Sequence, residues 1–236
     1  MRQLSGLAAA LAGAVWAAGA LAAPVVDQQY VFSYPAASPP YASGGIAGSA
    51  PPFEYTHAQT FTVGLSGELA AVSLQFGQYN GTGGDFVFRI LPTVSGIPAL
   101  DFNDALASVT IPYASFPTFS FSAPTPATTI DFSALGLHVT AGDVLAIAVS
   151  ATGGAQGAWD ILFPGGYAEG SAYSSYGGSA WAPQVRPVGN DSLFADFAFT
   201  TYVDPSPSHV PEPASLAVLG TAVLTAGLAL RSRRRG

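Results

Sequence analysis

The stretch Val72 to Ile90, VSLQFGQYNGTGGDFVFRI, holds two runs of alternating side chains separated by a glycine-rich break. Val72, Leu74 and Phe76 alternate with Ser73 and Gln75, and Phe86, Phe88 and Ile90 alternate with Val87 and Arg89. A period of two is that of a strand with one buried face. Between the runs, Tyr79–Asp85 (YNGTGGD) contains an Asn-Gly pair, which supplies the positive backbone angles of a hairpin turn, so the two strands are expected to pair through it.

The same signature continues outward. Runs at Ala105 to Ile111, Thr118 to Ser122, Thr128 to Phe132, Asp143 to Ser150, Ala158 to Phe163 and Phe194 to Val203 have strand length and strand composition. Within the middle of the chain Gly or Pro interrupts every window long enough for a helix, and no helical period is sustained. The expectation is an all-β domain over residues 58–203, an antiparallel two-sheet jelly-roll sandwich. In DVLAIAVS, Leu145, Ile147 and Val149 should face the core and Ala146 and Ala148 the thinner side; Phe197, Phe199 and Val203 should share a face. Ahead of this lies SYPAASPPYASGGIAGSAPPF (33–53), rich in Pro, Gly, Ala and Ser. Residues 23–57 are accordingly expected to form an arm, with a possible edge strand at Gln29 to Phe32.

Both ends carry targeting signals. The start has Arg2, an apolar run from Leu7 to Ala20, and small residues at Ala20 and Ala22, so a signal peptide over 1–22 is expected, cleaved after Ala22 by signal peptidase. At the other end DPSPSHVPEP places a proline-rich stalk (204–209) before an uncharged run from Ala214 to Leu230. As a helix, 17 residues span roughly 26 Å, the short end of what a bilayer core requires. Arg231, Arg233, Arg234 and Arg235 follow as a basic stop that keeps the C-terminus cytoplasmic and the β domain outside.

Composition narrows the partners. The chain has no Cys and no Lys, so neither a disulfide framework nor a thiol nucleophile is available. Residues 23–209 carry thirteen acidic residues against Arg89 and Arg186, a net charge of −11 with His neutral. Such a surface repels phosphate backbones, which excludes nucleic acid as a partner.

The tail resembles a PEP-CTERM sorting signal. The matching residues are Pro211, Glu212 and Pro213, the apolar helix 214–230 and the basic tail 231–236, so that 210–236 forms one tripartite segment. The same kind of segment also goes under the name of an ice-binding-protein C-terminal domain. The resemblance implies export, transient anchoring in the inner membrane, recognition of the triplet by an exosortase and delivery to the cell surface or extracellular matrix. Glu212 is then a recognition element. The ectodomain, through AQTFTV (58–63), GDFVFRIL (84–91), YAEGSAYSSYGGSAW (167–181) and DFAFTTYV (196–203), resembles the jelly-roll domains of other exported bacterial proteins with varied anchors, a resemblance that implies a fold and a location but no chemistry.

No catalytic cluster is legible: His57, His138 and His209 are far apart, and no nucleophile elbow, H-E-x-x-H helix or phosphate loop occurs. The chain is expected not to be an enzyme, a hydrolase with an unrecognised carboxylate pair being the alternative. No cofactor is expected; calcium is the one ion the pattern suggests, at Asp85, Asp191 and Asp196 in or beside glycine-rich turns, although turn formation alone also accounts for them. Trp159, Tyr167, Tyr173, Tyr176 and Trp181 lie in a Gly/Ser background and form the candidate carbohydrate-binding set, against the alternative that the tryptophans plug the sandwich and the tyrosines cover its rim. A structural or adhesive role in an exopolysaccharide matrix is the leading expectation, and a carbohydrate-binding module the first alternative.

Overall fold

In a computed structural model the protein is described over residues 23–31, 42–48, 54–120, 123–188 and 191–205. The expected signal peptide, the sorting triplet, the membrane helix and the arginine cluster lie outside these residues. No helix among the described residues is long and apolar enough to cross a membrane.

The described chain is all-β. Its strands are β1 (Val25–Tyr30), β2 (Ala42–Gly48), β3 (Glu54–Thr62), β4 (Gly67–Gln78), β5 (Asp85–Val94), β6 (Ile97–Pro98), β7 (Ala107–Pro112), β8 (Ala127–Asp131), β9 (His138–Val139), β10 (Val144–Thr152), β11 (Gln156–Leu162), β12 (Ala172–Tyr176), β13 (Ala182–Pro183), β14 (Val185–Val188), β15 (Asp191–Phe194), β16 (Asp196–Phe197) and β17 (Phe199–Pro205), with three short 3-10 turns between them. Their pairing is antiparallel and continuous, in the order β1-β17-β4-β11-β2-β3-β10-β5-β6. Strands β8 and β9 add to β4, β12 to β3, β16 to β11 and β7 to β5, while β14 and β15 form a separate ribbon. The coarse expectation of an antiparallel all-β domain holds, as one large sheet; the ladders do not separate into the two sheets of a jelly roll.

That sheet nevertheless folds over itself. β4 and β5 stand apart in the ladder order, yet the ring of Phe76 on β4 meets Phe86 and Phe88 on β5 edge-on, at 4.8 and 5.7 Å. Phe116 closes the cluster at 5.2 Å from Phe76. The expected hairpin is therefore corrected: β4 pairs with β17, β8, β9 and β11, and β5 with β10, β7 and β6, never with each other. The YNGTGGD segment crosses between facing layers. It does use the positive angles the sequence offers, at Asn80, Gly83 and Gly84. A Cβ at Gly84 would run into the Thr152 carbonyl, so the crossing hugs the end of β10 where only glycine fits.

The alternation is otherwise where it was expected. Val72, Leu74, Phe76, Phe86, Phe88, Ile90, Leu145, Ile147, Val149, Phe197, Phe199 and Val203 are all buried in one core. Burial of each Phe, Ile or Leu in it contributes roughly 1.5–3 kcal/mol. The thin face of β10 is buried too, because Ala146 and Ala148 lie with Ala58 and Leu91 under Trp181, Phe102 and Tyr173. Small residues there let a second layer close on the sheet.

The described residues of 23–57 pair into the sheet and do not form an arm apart from the domain. They supply β1, displaced from the expected Gln29 to Phe32, then β2 and the first residues of β3. β2 (ASGGIAG) has little strand propensity of its own; Ile46, 1% exposed, anchors it in the core between β11 and β3. Tertiary pairing overrides local composition there. Thr118 to Ser122, read as a strand, contributes among its described residues only a single bridge, Gln78 to Thr118.

Candidate functional site

Two carboxylates lie inside the fold with no cationic partner among the described residues. Asp160 on β11 is 1% exposed and is capped by one residue: the Thr125 N–H donates to Oδ2 and its hydroxyl to Oδ1, both at 3.1 Å. Desolvation pushes its pKa up to about 6, and those two hydrogen bonds work against the rise. Asp196 on β16 accepts from Gln59 Nε2 at 3.1 Å and from the Tyr167 N–H at 3.0 Å, while Gln59 Oε1 accepts the Phe197 N–H at 2.8 Å. Burial raises its pKa as well. These groups splice the 165–167 turn and β16 onto β3. Their oxygens are occupied by protein donors, an arrangement suited to holding loops.

A third buried polar group faces a cavity. His57 on β3 is 4% exposed, its Nε2 donates to the Gly45 carbonyl at 2.9 Å, and its Nδ1 has no hydrogen-bond partner. Because a carbonyl only accepts, Nε2 carries the proton of the neutral ring. Desolvation holds the pKa down at about 4, against the pull of the Gly45 carbonyl and of the Tyr173 backbone, so the imidazole is uncharged at neutral pH. Its ring packs on Phe197 at 5.1 Å.

The cavity that His57 lines has a volume of about 440 Å³. Its wall comes from β2 (Gly45, Ile46, Ala47) and from Gln156 and Gly157 at the start of β11. Tyr55, Tyr79 and Gln184 complete it from three further segments. Tyr55 is 45% exposed and sits directly across from Tyr176 on β12, their rings 4.6 Å apart and inclined at 51°. Tyr79, 38% exposed, stands edge-on to Phe119 at 6.2 Å. Gly157 lets β11 pass close over the core: a Cβ there would approach Phe76 Cζ to 2.5 Å and Phe86 Cζ to 2.8 Å.

The aromatic set expected from sequence is dispersed by the fold. Trp159 is completely buried, stacks on Phe197 at 4.5 Å and donates from Nε1 to the Ala198 carbonyl at 2.7 Å. It belongs to the core, which corrects its candidacy as a sugar platform. Trp181, 9% exposed, donates from Nε1 to the Ala99 carbonyl at 3.0 Å and caps the alanine face of β10, with Tyr173 half-buried beside it. Tyr167 is half-buried, edge-on to Phe199 at 5.1 Å, and its hydroxyl donates to Gln28 Oε1 at 3.0 Å, tying β1 down. Of the five, Tyr176 alone is exposed, and it reaches the cavity only through Tyr55. The sequence reading missed Tyr55, His57, Tyr79, Gln156 and Gln184; Tyr55 and His57 share β3, the others come from separated segments of the chain, and no motif joins them.

The weak calcium candidates are not gathered. Asp85 opens β5 opposite Pro112 and Thr152, Asp196 is engaged as above, and Asp191 lies in β15. Among the described residues no group of three or more His, Asp or Glu lies together as a metal site.

Comparison with known proteins bears on the tail. Residues 209–235 match the PEP-CTERM protein-sorting motif, which implies an exported protein processed by an exosortase at the membrane. No family match supports the jelly-roll resemblance of the ectodomain. No curated protein and no solved structure matches the chain.

Proposed function

We propose that this chain, which ends in a PEP-CTERM sorting motif, is a non-enzymatic structural or adhesive protein of the extracellular matrix or cell surface, delivered there as a closed β domain after both targeting ends are removed. The observation that carries this reading is the pairing of the first and last strands. β1 begins at Val25, just after the expected signal-peptide cut following Ala22, and pairs antiparallel with β17, which ends at Pro205, ahead of the matched motif. Loss of 1–22 and of the segment from 210 onward removes none of the described strands.

Further observations support it. Asp27 on β1 accepts the N–H groups of Gly64 and Leu65, at 2.9 and 2.6 Å, and the Thr201 hydroxyl, which fastens the new N-terminus to the body. The buried carboxylates Asp160 and Asp196 bind protein donors, and His57 is neutral, so among the described residues no base stands beside a nucleophile in the arrangement catalysis needs. The folded-over sheet, with β4 pairing into both layers, is on this reading a variant of the jelly roll.

Intact-mass measurement of the exported protein tests the proposal. The expected product starts at Ala23 and ends near Pro211 to Pro213. A mature protein that retains 214–236 refutes the sorting role and makes the segment a permanent anchor.

A further inference from the structure

We infer that the cavity between Tyr55, Tyr79, Gln156 and Gln184 is a binding site for a neutral saccharide, the contact through which the domain holds an uncharged polysaccharide. This rests on the matrix reading above and deepens it.

The chemistry of the wall selects the ligand. Among the described residues no ionised side chain lines the cavity, the one buried titratable group there being the neutral His57, so neither an anion nor a cation gains a partner from them. The chain around it is acidic and lysine-free, which further disfavours uronate-rich or sulfated polymers. Two tyrosine rings offer apolar faces with polar edges, and both are braced: Tyr55 by Tyr176, Tyr79 by Phe119. Braced rings lose little freedom when a ligand lands on them. Between them, Gln156 and Gln184 each bring a carboxamide, with two donors and an acceptor, that bonds to no other described residue. His57 adds a neutral imidazole to the same wall, its Nε2 already committed to the Gly45 carbonyl.

A purely apolar ligand would leave these carboxamides unpaired, which is costly. An extended peptide would seek a free strand edge, yet β3 and β11 are paired on both sides, and β2 pairs with β11 over Ala42–Ala47 and with β3 at Ala47 and Gly48. A pyranose meets every condition: it is uncharged, presents C–H patches that lie on aromatic faces, and rims them with hydroxyls that both donate and accept. The volume of about 440 Å³ falls within the roughly 300–1,000 Å³ of small-ligand pockets.

The structure also supplies a way to block the site. Gly45 lines the cavity, has an ordinary backbone conformation for an L residue, and a Cβ added to it would meet nothing within 4 Å. The test uses the purified full chain against soluble neutral polysaccharides (a glucan, a mannan and a galactan) and against alginate, by affinity electrophoresis and calorimetry, with melting temperatures of every variant. The wild type is expected to bind at least one neutral polymer and to ignore alginate. Tyr55→Ala, Gln184→Ala and Gly45→Leu should each weaken that binding tenfold or more at unchanged melting temperature; where Tyr55→Ala lowers it, Tyr55→Phe and Gln184→Ala decide. Binding that all variants retain, preference for alginate, or no binding to any neutral polymer overturns the site. In each of these cases a correctly trimmed, exported product leaves the matrix reading standing. A product that keeps its tail sinks that reading whatever the cavity binds.

Discussion

His57 and Asp160 should make the stability of the domain depend on pH in opposite directions, and removing either should uncover the other. Burial depresses the His57 pKa from 6.5 to about 4. The unfolded chain therefore binds the proton more readily, and stability is lost as pH falls from about 6.5 to 4. At 1.36 kcal/mol per pH unit the loss is about 3 kcal/mol, complete near pH 4. Asp160 is raised from 3.8 to about 6. Here the folded state holds the proton more tightly, so its contribution is fully present below pH 3.8 and declines as pH rises toward 6, again by about 3 kcal/mol. Between pH 4 and 6 the two slopes offset each other. Equilibrium urea unfolding at pH 3.5, 5 and 7, followed by fluorescence of the buried Trp159, measures this directly. For His57→Gln, the unfolding free energy relative to wild type should rise by about 3 kcal/mol on going from pH 7 to pH 4. For Asp160→Asn the relative value should rise by a similar amount, about 3 kcal/mol, from pH 3.5 to pH 7. The altered hydrogen bond to Thr125 adds a constant offset that leaves the slope intact. Curves of either variant that run parallel to wild type across this range would refute the assigned burial of that group.

Gly157→Ala should destabilise the domain by about 1–3 kcal/mol, read as a lowered urea midpoint, because its Cβ would be driven into the Phe76 and Phe86 rings; an unchanged midpoint would mean that the layers are less tightly closed. Trp181→Ala should cost about 3–5 kcal/mol and expose the Ala146 and Ala148 face of β10 to dye binding, although the residue lies outside the main core. Trp159→Phe, which leaves the Ala198 carbonyl without its 2.7 Å donor, should cost about 1–3 kcal/mol in unfolding free energy without altering saccharide binding, since the ring is sealed from solvent.

Much of this protein was legible in local pattern. Period-two alternation identified the strands at 72–76, 86–90, 145–149 and 197–203 and the residues they bury, because side-chain direction in a strand follows from position alone. The glycine-rich turn after Tyr79 was legible as a reversal, but its Asn-Gly pair carries no information on whether the strands it joins lie in the same ladder or in facing layers. The strand at 42–48 was illegible for the opposite reason: its composition is that of a loop, and its neighbours β3 and β11 hold it extended around Ile46.

The saccharide site divides in the same way. Sequence by itself determined the sorting motif at the C-terminal end, the absence of cysteine and lysine, the acidic balance and the all-β class, since these depend on composition and on patterns within one segment. Only the tertiary structure decided which aromatic residues are available. Trp159 and Trp181, the more prominent in the sequence, are consumed by the packing of the two faces, whereas Tyr55 on β3 and Tyr79 just past the end of β4 keep 45% and 38% exposure and line one cavity with His57. Burial is a property of what folds over a residue, and that cover comes from chain far away in sequence.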